Sequence, residues 1–105
     1  MREVEAPLSD EEPVVRLFKA LAHPMRASII HRLTTSAADV TELTELLGAS
    51  QPLVSHHLRI LRDAHLVQVE RSGRRSNYSL IDDHVASIFL DALNHMREHD
   101  HDCHH

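Results

Sequence analysis

At 105 residues, with 42% hydrophobic content, the chain has room for one domain with one modest core and should fold rather than stay disordered. No apolar run approaches the roughly 18 residues of a membrane span, and the opening MREVEAPLSDEE lacks the profile of a signal peptide. The single cysteine, Cys103, cannot form an internal disulfide, so a cytoplasmic setting is expected, while the net charge of −5 excludes a uniformly basic nucleic-acid coat.

Residues 1–12 read as a flexible acidic arm, one arginine against five acids. In EEPVVRLFKALA, Val14, Leu17, Phe18 and Leu21 recur at helical spacing, which predicts a first amphipathic helix. HPMRASIIHRL predicts a second, with Pro24 in its first turn and Ile29, Ile30 and Leu33 available for the core. TTSAADV reads as a polar break. VTELTELLG is a short helix closed by Gly48 as its C-terminal cap. SQPLVSHHLRILRDAH then starts a fourth helix, with Ser50 as N-cap, Pro52 near the first turn, and Leu53, Val54, Leu58 and Leu61 as its buried stripe.

LVQVERSGRRSNYSL reads as two short strands around Ser72-Gly73, a hairpin whose tip carries Arg74 and Arg75. A last helix begins near Asp82 or Asp83. Two helices joined by a short glycine-containing turn, followed at once by an arginine-tipped hairpin, are the order of a winged helix-turn-helix. The expected fold is therefore mainly α with a small β-hairpin, its domain spanning residues 13–98, with a His-rich tail over 99–105.

Residues 53–75 carry five arginines against two acids, a basic middle inside an acidic chain that is compatible with DNA at one face. In a helix-turn-helix the start of the second helix meets base edges while flanking groups hold phosphates. That assigns Ser50, Gln51, Ser55, His56 and Arg59 to double-stranded DNA, with Arg74 and Arg75 of the wing reaching a minor groove or phosphates. Any one of these residues reads equally well as the wet side of a surface helix. The set, in this order, points to DNA.

The stretch LGASQPLVSHHLRILRDAHLVQVERSGRRSNYSL resembles the DNA-binding half of the ArsR/SmtB family of bacterial metal-sensing repressors, and the resemblance extends over about residues 13–98. It implies a homodimer that leaves its operator when an ion binds.

The last helix carries the more specific signal. Eleven positions are nearly three turns, so His84 and His95 share a face within roughly 20° yet lie about 16 Å apart along the axis. Ligands of one ion lie within a few ångströms of each other, so one straight helix cannot bring both to the same metal. Two antiparallel copies across a two-fold axis can: Asp82 and His84 of one subunit then meet His95 and Glu98 of the other, giving two equivalent sites. The family has this same spacing as its last-helix metal site, matched here at all four positions. Asp91, on nearly the same face, reads as an outer-shell partner or a plain surface acid.

Two imidazoles and two carboxylates suit Zn²⁺, with Co²⁺ as its mimic. Relatives that sense thiophilic ions use clustered cysteines, which DVTELTELLG lacks. The tail residues His99, His101, Cys103, His104 and His105 could raise the coordination number towards that preferred by Ni²⁺ or Co²⁺, as in family members that recruit tail ligands, or play no part. The resemblance further implies a relay in which metal-bound His95 donates its other N–H to a backbone carbonyl just beyond the reading helix, at the position of His65.

A metallohydrolase would need an open coordination position and a substrate cleft. Four closing ligands and no nucleophile constellation argue against an enzyme and against a small organic substrate. Two other readings stand beside the metal sensor: a winged-helix regulator with a non-metal signal, and a zinc store built on the tail.

Overall fold

The computed structural model describes residues 6–102, the last two by backbone alone. Of the candidate tail ligands, Cys103, His104 and His105 therefore lie outside the described residues. Five helices and a small sheet follow in the order α1 (Pro13–Leu21), α2 (Pro24–Leu33), β1 (Ala38–Asp39), α3 (Val40–Leu47), α4 (Gln51–Asp63), β2 (Val67–Ser72), β3 (Arg75–Leu80) and α5 (Asp83–Asp102). Among the described residues no helix is long and apolar enough to cross a membrane.

Prolines open α1, α2 and α4, where a missing N–H costs nothing and a fixed φ suits the first turn. The N-cap of α2 is a histidine: His23 Nδ1 accepts the Met25 N–H at 3.1 Å. The polar break expected over TTSAADV contains a strand. Ala38 and Asp39 pair antiparallel with Tyr78 and Asn77, so the hairpin expected from the sequence is a three-stranded sheet in the order β1-β3-β2. Two residues are too few to show alternation, and their partners lie far along the chain.

Asp39 then caps α3 in a reciprocal box. Its carboxylate accepts the Glu42 N–H at 2.8 Å, and the Glu42 carboxylate accepts the Asp39 N–H at 2.9 Å. At the far end Gly48 takes a left-handed φ of +61° and donates to the Thr44 carbonyl at 2.9 Å, the cap expected there.

Ser50 accepts from the Leu53 N–H at 3.3 Å and starts α4, also as expected. The buried stripe of α4 is Val54, His57, Leu58 and Leu61. Leu53, expected inside, is 39% exposed. The stripe follows helical spacing from Val54, and Leu53 lies about 100° away around the helix from that residue.

The C-terminus of α4 closes with a double bond pattern: His65 N–H to the Arg62 carbonyl at 2.9 Å, and Leu66 N–H to the Leu61 carbonyl at 2.9 Å. His65 occupies the left-handed position, φ +60°. Leu61 and Leu66 are both fully buried, the apolar contact that accompanies this cap.

β2 and β3 join through Gly73 and Arg74, a two-residue loop with positive φ at Gly73 that fits a type II′ turn. The apolar core joins Ala20 of α1, Ile29, Ile30 and Leu33 of α2, Ala38 of β1, Leu43 of α3, Val54, Leu58 and Leu61 of α4, Leu66, Val67, Tyr78, and Val85 of α5. Asp82 caps α5, its carboxylate accepting the N–H of His84 at 2.9 Å and of Val85 at 3.3 Å. Phe89 packs on this core and meets the His31 ring at 5.6 Å. Beyond it, α5 runs on past Glu98 to Asp102.

Candidate functional site

The helix-turn-helix is α3, a three-residue turn over 48–50 and α4. Ser50, Gln51, Ser55, His56 and Arg59 are all exposed on α4 and its cap, so the burial of Val54, His57, Leu58 and Leu61 turns the five assigned residues to solvent together. Leu53 joins them at the surface, an apolar group able to meet a thymine methyl. Its place on the rim of the stripe hid it in the sequence.

Behind this face lies a residue that the sequence reading passed over. His57 is 5% exposed. Its Nδ1 stands 3.1 Å from an Arg26 guanidinium nitrogen, and Arg26 Nε donates to the Ala20 carbonyl at 2.7 Å. A guanidinium only donates, so Nδ1 must accept and the imidazole is neutral, with its proton on Nε2. Burial pushes the His57 pKa below the ordinary histidine value, and the neighbouring His23, Arg26 and His56 push the same way. The His23 ring lies 4.5 Å from that of His57 and the His56 ring 5.3 Å. The signal in the sequence was its spacing, three residues after Val54.

The wing presents its two arginines differently. Arg74 sits in the turn and is exposed. Arg75 is tied down: its Nε donates to Asp39 Oδ2 at 3.1 Å, and a terminal nitrogen makes a second, shorter ion-pair contact to the same oxygen. The Glu42 backbone N–H, and then Arg75, hold the Asp39 carboxyl below its usual range. Asp39 thereby belongs at once to β1, to the cap of α3 and, through Arg75, to the tip of the wing.

Of the candidate metal ligands, Asp82 and His84 lie at the start of α5 and His95, Glu98 and His99 towards its other end, all five exposed. His84 Nδ1 is 3.6 Å from the capping carboxylate of Asp82. At the other end the His95 and His99 rings lie 4.4 Å apart, with Glu98 between them in sequence. Among the described residues no group of three or more histidine, cysteine, aspartate or glutamate side chains is gathered so as to hold an ion. The chain therefore carries two separated donor groups. Each is chemically suited to a borderline divalent ion, and the first has too few donors to close a site alone. Asp91 is exposed between them.

Residues 23–69 match the model of the arsR family of bacterial regulatory proteins. The chain is 49% identical over 82 residues to the HTH-type transcriptional repressor SmtB of Mycobacterium tuberculosis, an alignment covering 78% of this chain and 61% of that protein. It is 42% identical over 92 residues to the HTH-type transcriptional regulator NmtR of the same organism, covering 86% and 77%. Among solved structures, the homodimeric winged helix-turn-helix DNA-binding domain Mb0332 from Mycobacterium bovis superposes with a TM-score of 0.82 at 29% identity, over 89% of this chain and 86% of that one.

Proposed function

From the premise that this chain belongs to the arsR family of bacterial regulatory proteins, we propose that it is a metal-responsive transcriptional repressor, a homodimer that holds operator DNA and releases it on binding a divalent ion. The observation that carries the reading is the pair of incomplete donor groups at the two ends of one exposed helix face. Neither makes sense as an intrachain site, and antiparallel pairing of two α5 helices completes both.

Apolar surface supports the same pairing. Phe18 of α1 is 56% exposed and Met96 of α5 is 59% exposed, with Val14 and Ile88 also open, more than a small chain leaves wet without a partner. In the dimer Asp82 and His84 of one subunit, with His95 and Glu98 of the other, would hold Zn²⁺, which draws imidazole and carboxylate donors into a tetrahedron. Asp82 would serve twice, since the oxygen that caps α5 leaves its second oxygen for an ion.

His95 would carry the signal. With one ring nitrogen committed, the other is fixed as an N–H donor, and the carbonyl of His65 is its proposed acceptor. His65 stands in the left-handed cap where α4 becomes β2, so a pull on its carbonyl acts directly on the end of the reading helix. DNA would be read by Ser50, Gln51, Ser55, His56 and Arg59, with wing contacts from Arg74 and Arg75.

One observation favours a second ion class. The His95–His99 contact and the continuation of α5 to Asp102 bring a tail imidazole to the main group, which suits the higher coordination preferred by Ni²⁺ or Co²⁺. A titration of operator binding with Zn²⁺, Co²⁺ and Ni²⁺ in parallel tests both. Release by at least one ion supports the sensor, the most effective ion identifies the cognate metal, and indifference to all three rules the sensor out.

A further inference from the structure

A cleft of about 160 Å³ opens where the first turn of α3, the start of α4 and the tip of the wing converge, lined by Asp39, Thr41, Gln51, Arg74 and Arg75. Resting on the reading of this chain as a DNA-binding protein, we propose that this cleft seats one phosphate of the DNA backbone, gripped by Thr41, Arg74 and Arg75, with Asp39 as the positioning residue that aims Arg75.

The first helix of a helix-turn-helix crosses the backbone while the second enters the groove. Thr41 is exposed in the first turn of that first helix, and its hydroxyl can donate to a phosphate oxygen. Gln51, assigned above to base edges, forms the wall on the α4 side and places the cleft at the edge of the reading face. Arg75 offers five N–H groups. Asp39 takes two of them through one oxygen, leaving the others to point at an anion. The ion pair thus fixes a planar donor fork at the cleft, in the geometry that guanidinium–phosphate recognition uses.

Asp39 is a negative charge in a cleft meant for an anion, so by Coulomb repulsion alone its neutralisation should tighten DNA binding. If Asp39 works by aiming Arg75, its neutralisation should weaken binding. Asp39→Asn separates the two, and asparagine caps helices as well as aspartate does, so the start of α3 survives.

The measurement is fluorescence anisotropy of the full chain on a random-sequence duplex across a salt series, because a backbone contact is independent of sequence. Asp39→Asn should weaken binding by roughly tenfold, as loss of a charge-assisted contact would. Thr41→Val should weaken it by roughly threefold with no change in salt slope, since no charge is removed. Binding by Asp39→Asn as tight as wild type or tighter, or wild-type affinity in Thr41→Val, overturns the cleft alone. If Asp39→Asn fails to fold, the Thr41→Val result decides. A wild-type chain that binds no duplex at any salt overturns the DNA-binding reading together with the cleft.

Discussion

Arg26 stays charged at every pH the protein meets, so its contact to His57 Nδ1 holds only while that imidazole is neutral. The sign of the pH dependence follows. With its folded pKa lowered by burial first and by its cationic neighbours next, His57 takes up a proton more readily in the unfolded chain. Its contribution to stability is fully present above the ordinary histidine value of 6.5 and is lost as pH falls below it. The melting temperature should therefore drop between about pH 7.5 and pH 5.5. His57→Gln, which keeps an acceptor for Arg26 without a titrating group, should flatten that drop. An equally steep fall in the variant would show that the acid sensitivity arises elsewhere. At the wing, Arg74→Ala should lower the slope of log affinity against log salt by about 0.9, one phosphate's worth. An unchanged slope would remove Arg74 from the interface.

Elements end where single residues permit it, and Gly48 is the plainest case. A Cβ built there meets nothing within 4 Å, and its φ is +61°, so the cost of Gly48→Ala is conformational rather than steric. It should destabilise the protein by about 1–2 kcal/mol, read as a lower urea midpoint with unchanged m. A loss near zero would mean that the turn between α3 and α4 relaxes to another backbone. His84→Ala and His95→Ala should each leave a folded protein that binds DNA but no longer releases it with Zn²⁺, while removal of residues 99–105 should shift ion preference more than it shifts the switch. A truncation that abolished the response would make the tail a primary ligand source.

At the scale of the whole molecule, the proposed dimer carries the prediction. With Val14, Phe18, Ile88 and Met96 uncovered, sedimentation at micromolar concentration should show a dimer with or without metal. A monomer in both states would leave the two donor groups of α5 without a way to meet. In the dimer, metal and DNA should oppose each other by a coupling free energy typically of ~1–3 kcal/mol. That coupling is reciprocal, so DNA must weaken metal affinity by the factor by which metal weakens DNA affinity.

What could be read from the chain alone was whatever is local. Helical spacing marked the first helix, the stripe of the fourth and the face of the last, while Pro24, Gly48 and Ser50 marked helix ends and Gly73 marked the hairpin. The two histidines eleven positions apart share one face and lie too far apart for one ion, which is why the proposed site calls for a symmetric partner. Long-range pairing stayed hidden. The strand Ala38–Asp39 is too short to show a period and exists only because β3 returns beside it. His57 drew no reading from the sequence, because its burial against Arg26 is contributed by another helix. Arg75 was assigned to DNA on the same terms as Arg74, and its ion pair with Asp39 became visible only in the fold. Periodicity and caps are properties of neighbouring residues, whereas burial and ion pairing are settled between elements distant in the chain, so only the tertiary structure could decide them.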